Sequence, residues 1–144
     1  RGGEAATRPY RMQVAQLLAE AIDSVRRSNQ HPLILVAGDF NDYTDDASLQ
    51  FLETHGLTNV STKATGQHGA RGTYRYHGVW ASLDHVLCNA TLLQRLRYCH
   101  INDKPFLLTD DEKYGGKKPK RNYLGPKYLN GYSDHLPLVT VFAF

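Results

Sequence analysis

One short stretch decides the fold expected of this chain: LILVAGDFND, residues 33–42. Its first part, Leu33 to Ala37, is a continuous apolar run rich in β-forming residues, which predicts a strand buried on both faces. Gly38 allows a sharp turn directly after that strand. Ligands of α/β proteins gather beyond the carboxyl ends of strands. We therefore expect Asp39 and Asn41 to be functional residues, fixed at the end of a rigid strand.

The segment before this strand predicts a long amphipathic helix. Its apolar residues recur at helical spacing, and they are Val14, Leu17, Leu18, Ala21, Ile22 and Val25. Pro9 is expected near the helix start, where proline is tolerated. Asn29, Gln30 and Pro32 are expected to end it.

A second, shorter helix is expected after the acidic turn, carrying Leu49 and Leu52. Thr44 or Asp45 is the predicted N-cap residue, because both types accept hydrogen bonds from the first backbone N–H groups of a helix. Gly56 is expected just beyond the C-terminal end.

The rest of the chain predicts strands and loops. Residues 61–72 are small and polar and indicate a loop. Strands are predicted at Thr73–Tyr76, Ser82–Asn89, Leu96–Ile101 and Leu138–Phe144, with a turn at His77-Gly78 between the first two. The polar segment 102–132 is longer than an ordinary connection and is expected to be a functional or disordered loop. This order of elements predicts a layered α/β or α+β fold.

Length and composition exclude several classes of protein. The chain has 144 residues, which fits one domain. Hydrophobic residues make up 41% and charged residues 22%, so disorder and a fibrous structure are not expected. No run of 18 apolar residues occurs, so no membrane-spanning helix is predicted. Cys88 and Cys99 match neither a disulfide framework nor a zinc motif.

The charges around the first strand suggest a bound cation. Between His31 and Val60 there are five acidic residues and no lysine or arginine. A divalent cation with oxygen ligands would balance them. We assign Asp42, Asp45 and Asp46 to capping of the turn and helix, and Asp39 to function.

Two further segments carry chemistry. Ser133-Asp134-His135 lies just before the last predicted strand, and because Asp134 and His135 are neighbours in an extended segment, they point to different sides. Asp84 lies inside a predicted strand, so its carboxylate must be solvated or paired. A histidine partner would have its tautomer and orientation fixed by that carboxylate.

GDFN after a buried strand, a Leu-Asp-His strand and Ser-Asp-His-Leu-Pro before a final strand follow one another here. This order resembles the C-terminal half of the endonuclease/exonuclease/phosphatase superfamily, which is DNase I-like. The segments Arg1–Glu4 and Lys113–Gly116 are similar to a bacterial branch of it. The resemblance implies half of a four-layer α/β sandwich, with a mainly antiparallel or mixed sheet and flanking helices. Residues 1–144 would then be the C-terminal portion of one domain.

The resemblance also implies roles for individual residues. Asp39 resembles the aspartate that positions or deprotonates the attacking water and can contact the metal. Asn41 resembles the asparagine that stabilises the pentacovalent phosphate, and Asp134 a metal-site aspartate. His135 resembles the histidine at the scissile phosphate, and Asp84 the aspartate that orients it. The implied function is hydrolysis of a phosphoester with Mg²⁺ or Mn²⁺, because phosphoryl transfer needs charge neutralisation and an aligned water.

This sequence lacks what the first half of such a domain supplies. That half contributes another asparagine, a metal-binding glutamate in a Gln-Glu segment and a histidine before a Pro-Ser loop. The glutamates present, Glu4, Glu20, Glu53 and Glu112, do not occur in that context. We therefore expect an uncovered apolar face and an inactive chain unless the missing N-terminal half is supplied as a partner.

The substrate is expected to be a phosphoester of a nucleic acid, a phospholipid or a sugar. Arg71, Arg75, Lys117 and Lys118 are the candidate substrate-binding residues. The last two belong to a basic stretch interleaved with tyrosines between Lys113 and Tyr128, a mixture that phosphate-rich ligands use. A solvated loop is the alternative explanation of that stretch.

A different class of function stays open from the sequence. A non-catalytic phosphate- or nucleic-acid-binding module could keep this fold without a complete metal site. A serine hydrolase is excluded, because the sequence around Ser133 lacks the Gly-x-Ser-x-Gly turn that such a nucleophile needs.

Overall fold

The computed structural model describes the backbone of residues 3–144 and the side chains of residues 5–144. Arg1 and Gly2, the beginning of the segment that resembles the bacterial branch, lie outside the described residues. The first element described is a helix that runs from Gly3 to Ser28. No helix in the described part of the chain has the length and apolar character that crossing a membrane requires.

The elements combine helices with short antiparallel strands. The helices are α1 (Gly3–Ser28), α2 (Ala47–Thr54) and α3 (Ala90–Leu93), and a 3-10 turn covers Pro105–Leu107. The strands are β1 (Leu35–Asp39), β2 (Leu57–Asn59), β3 (Tyr74–Tyr76), β4 (Val79–Ala81), β5 (Asp84–Asn89), β6 (Leu96–Ile101), β7 (Leu108–Asp110), β8 (Lys117–Pro119), β9 (Tyr123–Leu124), β10 (Lys127–Tyr128) and β11 (Leu138–Phe142). The predicted α/β architecture with antiparallel sheets and flanking helices is confirmed.

Helix α1 buries a different stripe from the one predicted. It begins before Pro9, which therefore lies inside the helix. Ala15, Ala19 and Ile22 are buried, whereas Val14, Leu17 and Val25 are exposed. The helix has more apolar surface than one sheet face covers, and periodicity alone does not say which stripe faces the core.

Strand β1 starts two residues later than predicted and continues through Gly38 to Asp39. It lies at the edge of a three-stranded sheet of order β1-β5-β2. Only one of its faces is covered: Ile34, just before it, is buried in the helix-covered core, while the side chain of Leu35 is 51% exposed. The prediction that both faces are buried is therefore wrong within this chain, and an apolar face is left uncovered.

The hairpin after residue 72 differs from the predicted one. The turn at His77-Gly78 is present, with φ values of 48° and 82°. The partner of β3 is β4, however, and not the predicted strand from Ser82. Strand β5 lies instead in the main sheet between β1 and β2, because its central residues are completely apolar and buried.

The segment 102–132 is more regular than predicted. Strands β7 and β8 form one antiparallel pair, and β9 and β10 form another. Strands β6 and β11 pair as a separate two-stranded sheet. The N-cap of α2 is Asp46, one of the three acids assigned to capping, and the choice of Thr44 or Asp45 as N-cap is wrong. Gly56 follows the helix with φ of +78°, as predicted.

Two apolar clusters stabilise these layers. The first joins the helices to the main sheet, and its buried members are Ala15, Ile22, Ile34, Leu49, Leu52, Leu57 and Leu87. The second lies under the loops and the β6–β11 sheet, and its buried members are Ala64, Ala70, Ile101, Leu108 and Leu136. Trp80 packs against the second cluster.

Candidate functional site

The pairing of β1 with β5 brings two carboxylates together. In the antiparallel register, Asp39 at the end of β1 lies opposite Asp84 at the start of β5. Like charges directly opposite one another in a sheet destabilise it. The arrangement therefore indicates a position where positive charge is expected.

The positive charge that the chain itself offers at this position is His135. Its Nδ1 lies 2.7 Å from Asp84 Oδ2, and both side chains are about three-quarters buried, with 23% and 22% of their surface exposed. Tyr74 forms a backbone bridge with His135 and packs against its ring, with 4.9 Å between ring centroids. The hydrogen bond to Asp84 raises the pKa of His135, burial opposes this, and the charges of Asp84, Asp39 and Asp134 reinforce it.

Three side chains converge at this point. Asp39, Asp84 and His135 each place a ligand atom within 4.8 Å of the others. They line one open cavity of about 370 Å³ at the end of the main sheet. Asp39 is exposed, so its carboxylate is accessible from solvent.

Asn41 lies beside this group and not within it. The Asp39 carboxylate accepts a hydrogen bond from the Asn41 backbone N–H at 2.9 Å, which fixes the turn after β1. Asn41 itself has φ of +50°, a conformation that asparagine tolerates better than most residues. The turn orients the Asp39 side chain, and both residues line a neighbouring groove of about 420 Å³ between α1 and β1.

Asp134 lies outside the group formed by the three converging residues. It lines a different cavity from the one that His135 lines, as expected for neighbours in an extended segment. Its Oδ2 lies 2.7 Å from Arg121 Nη2. Burial works to raise the pKa of Asp134, but the hydrogen bond and charge of Arg121 outweigh it and lower that pKa. A metal-binding role for Asp134 stays a prediction.

A buried polar network fixes the turn that follows β1. Arg11 on α1 forms an ion pair with Asp42 at 2.6 Å, and the two side chains are only 13% and 3% exposed. Ser48 donates a second hydrogen bond to the Asp42 carboxylate. Asp42 was assigned to capping from the sequence. It instead ties the turn to both helices.

His85 completes this network from β5. Its Nε2 lies 2.8 Å from the Asp42 carbonyl oxygen, and its Nδ1 lies 3.1 Å from Asn59 Nδ2. Because the Asn59 amide is a donor, His85 Nδ1 accepts and Nε2 carries the proton. Sequence reasoning missed Arg11 and His85 as supports of the site. The sequence signal for His85 was its position directly after Asp84 in one strand, because neighbouring side chains of a strand point to opposite faces.

Three of the candidate substrate-binding residues, Arg75, Lys117 and Lys118, lie close together, because Arg75 contacts Lys117 and shares the Asp111 carboxylate with Lys118. Arg75 donates to the Asp111 carboxylate and to the carbonyl oxygens of Gly78, Gly115 and Lys117. Its contacts hold the β3–β4 hairpin to the segment around β8. Arg71 is exposed in the loop before β3.

The two candidate lysines are ion-paired within the chain. Lys117 pairs with Asp110 at 2.8 Å, and Lys118 pairs with Asp111 at 3.3 Å. Substrate binding by Arg71, Arg75, Lys117 and Lys118 stays a prediction, and the contacts of the last three give each of them a structural role as well.

The sequence profile described as "Endonuclease/Exonuclease/phosphatase family" matches residues 1–143. No curated protein matches the sequence significantly.

Solved structures share the fold at low sequence identity. The mannosyl-6-phosphatase of Bacteroides thetaiotaomicron is 18% identical with a TM-score of 0.63, and the match covers 93% of this chain and 46% of that one. An AP endonuclease from Archaeoglobus fulgidus is 20% identical with a TM-score of 0.62, covering 95% and 55%. The beta toxin of Staphylococcus aureus is 15% identical with a TM-score of 0.58, covering 99% and 48%. This chain thus spans about half the length of these structures.

Proposed function

Because the chain belongs to the endonuclease/exonuclease/phosphatase family, we propose that it carries part of the reaction centre of a divalent-metal-dependent phosphoester hydrolase. The observation that carries the proposal is the convergence of Asp39, Asp84 and His135 at the end of the main sheet. Two of these are carboxylates that face each other in register, and the third is a histidine whose pKa is raised. A divalent cation and a phosphate group would be accommodated in the open cavity of about 370 Å³ that these residues line.

The donor set suits Mg²⁺ or Mn²⁺. Magnesium is bound in proteins by one or two carboxylates together with waters and substrate phosphates. Asp39 and Asp84 supply the carboxylates, and Asp84 Oδ1 accepts no hydrogen bond from the described residues while Oδ2 faces His135. A bound cation would polarise the phosphate and neutralise the charge that develops on it. Asp39 and Asp84 would hold it, and Asp134 would join them if Arg121 released it.

Individual residues of this chain can then take separate roles in hydrolysis. Asp39, exposed at the end of β1, orients the attacking water and accepts its proton as the new P–O bond forms. His135, kept cationic by Asp84, donates from Nε2 to a phosphate oxygen. The Asn41 amide stabilises the equatorial oxygens of the transition state. The old P–O bond breaks with its electron pair on the leaving oxygen, which takes a proton from solvent and departs as the alcohol, while Asp39 returns its proton to solvent.

The proposal also includes an N-terminal half of the domain. This chain spans 46% of the mannosyl-6-phosphatase structure. The groove between α1 and β1 leads from exposed Tyr10 and Val14 to Asp39, so a partner that covers it would also close the site. We propose that an N-terminal half covers this face and supplies the remaining ligands. The chain alone would then be inactive.

The substrate class follows from chemistry and from the relatives. One structural relative is named as a phosphatase of a mannosyl 6-phosphate and another as an AP endonuclease. Both names imply hydrolysis at a phosphate ester, the reaction that the converging residues support. A phosphoester of a nucleic acid, a phospholipid or a sugar is therefore the proposed substrate.

The proposal is tested by replacing Asp39 in the complete domain, with the first half supplied. Asp39→Ala should lower kcat by about 10²–10⁴-fold, the usual contribution of a general base, while substrate binding is kept. Asp45→Ala, in the same acidic turn, is the matched control and should leave kcat unchanged. If the wild-type domain binds phosphoesters but shows no metal-dependent turnover, the protein is a binding module and the proposal is wrong.

A further inference from the structure

A second cavity, of about 340 Å³, lies beside the converging residues. Strand β8 and the residues that follow it form one wall, and Tyr74 and Asp134 form the wall nearest to His135. The full lining is Tyr74, Arg75, Thr109, Lys118, Pro119, Lys120, Arg121, Leu124, Leu129 and Asp134.

The cavity has an excess of positive charge. Arg75 and Lys118 both pair with one carboxylate, that of Asp111. Arg121 pairs with Asp134, the only carboxylate among the described residues that line the cavity. Lys120 makes no ion pair within the described part of the chain, and its Nζ lies 5.8 Å from the centre of the Tyr132 ring. Four cations thus face two carboxylates, and a concave surface concentrates the resulting field.

Arg121 can offer donors to a ligand in this cavity. Its side chain is 33% exposed, and its Nη2 pairs with Asp134. Its Nε is buried and has no hydrogen-bond partner among the described residues, so a ligand would reach the guanidinium through the terminal nitrogens. A guanidinium binds phosphate through paired N–H groups. Arg121 can therefore bind an anion in addition to Asp134.

The backbone holds these cations in place. The Tyr132 N–H donates to the Lys120 carbonyl oxygen at 2.6 Å, and the Lys120 N–H donates to Leu107 at 2.8 Å. Gly131 permits the close approach, since a Cβ there would lie 2.2 Å from the Lys120 oxygen. The segment that carries Lys120 and Arg121 is thus fixed before any ligand binds, which reduces the entropy lost on binding.

The cavity adjoins the reaction centre. Tyr74 lines it and also packs against the His135 ring. Asp134 lines it, while its neighbour His135 lines the cavity of Asp39 and Asp84. A substrate whose scissile phosphate reaches His135 can extend past Tyr74 into the basic cavity.

We propose that this cavity binds a second phosphate group of the same substrate, held by Lys120 and Arg121. The inference rests on the proposed function, because it places the scissile phosphate at His135. The preferred substrate is thus a phosphoester whose alcohol part carries another phosphate. A phosphorylated sugar and a nucleic acid both have this chemistry.

Calorimetric binding without metal tests the proposal separately from turnover. The probes are glucose 1,6-bisphosphate with glucose 6-phosphate, and a thymidine dinucleotide with and without a 3′-phosphate. At least one member with the extra phosphate should bind about tenfold more tightly than its partner, since the added phosphate gains charge-assisted hydrogen bonds to Lys120 and Arg121. The pair that shows the difference identifies the source of the phosphate.

Substitutions locate the effect. Lys120→Gln and Arg121→Gln should each remove most of the preference, whereas Lys127→Gln, on exposed β10 outside the cavity, should keep it. Asp39→Asn should abolish turnover of the complete domain and leave the preference intact. Equal binding of both members in both pairs would overturn the proposal. So would equal effects of Lys120→Gln and Lys127→Gln. Because no step of this assay requires hydrolysis, a failure of the proposed function would show in turnover alone.

Discussion

At the scale of single residues, the site depends on one strand register. Asp39 and Asp84 are opposite each other because β1 ends where β5 begins. A shift by one residue would turn one carboxylate to the other face of the sheet. The buried run in β5 and the buried contacts of His85 fix that register. The residues behind the site therefore determine which acids can act together.

The contact between Asp84 and His135 leads to a prediction about how stability and the charge of His135 depend on pH. Asp84 raises the pKa of His135 above its ordinary value of 6.5. The stabilisation from this pair is complete below pH 6.5 and is lost as the pH rises through the raised pKa. In the metal-free chain, Asp84→Asn should lower the titration midpoint of the His135 ring, measured by NMR.

Asp110→Asn is the control for this titration, because Asp110 is exposed and pairs only with Lys117 among the described residues. It should leave the His135 midpoint where it is in the wild type. An unchanged midpoint in Asp84→Asn would mean that the hydrogen bond to Asp84 does not set the charge of the ring.

At the scale of elements, α1 acts on the site through the ion pair of Arg11 with Asp42. Arg11 reaches from the helix to Asp42, directly after the turn that carries Asp39 and Asn41. Arg11→Met keeps most of the side-chain volume but leaves a buried carboxylate without its cation. Breaking a buried pair in this way costs about 3–5 kcal/mol, and chemical denaturation should show a loss of that order.

Arg27→Met is the matched control, because Arg27 is exposed in the last turn of the same helix. Its loss should cost at most about 1 kcal/mol, the usual contribution of a cation near a helix C-terminus. If the two variants are equally stable, Arg11 does not support the turn.

The sequence predicted the elements with strong local signals. Strand β6 has the predicted limits, and β11 the predicted start, because both lie in apolar runs between clear breaks. Strand β3 was predicted to within one residue, but its partner β4 was missed, since a strand of three residues has too few positions for a periodic pattern. Their pairing is fixed instead by the turn at His77-Gly78.

The site was predicted only in part for a similar reason. Asp39, Asp84 and His135 lie in or next to strands, so their convergence follows from the sheet. Asp134 was expected with them and lies against Arg121. Arg121 comes from a segment with no periodic signal, and a side chain that arrives from such a segment cannot be placed from spacing. The same applies to Arg11, whose partner is 31 residues away.

At the scale of the whole molecule, the two faces of the main sheet differ in how far they are covered. Helices cover one face of the main sheet, and the other face exposes Leu35 next to the strand that ends in Asp39. Tyr10, Val14 and Leu17 of α1 are exposed as well. An apolar surface of this kind marks an interface, which agrees with the proposal that another half completes the domain.

The proposal predicts that the purified chain alone does not hydrolyse a generic phosphodiester in the presence of Mg²⁺. The reason is that only part of the ligand set is present and the groove beside Asp39 is open to water. Release of the alcohol product measures this directly, and the complete domain serves as the positive control. Robust turnover by the chain alone would refute the idea that a missing half is needed.

The most direct test of the central claim is where Mn²⁺ binds, since the claim is that Asp39, Asp84 and His135 form one metal-dependent centre. Substoichiometric Mn²⁺ should broaden the NMR signals of these three residues and their neighbours first, and Asp39→Asn should abolish the effect. Broadening that begins at Asp45 and Asp46 instead, or that is unchanged in Asp39→Asn, would contradict the account.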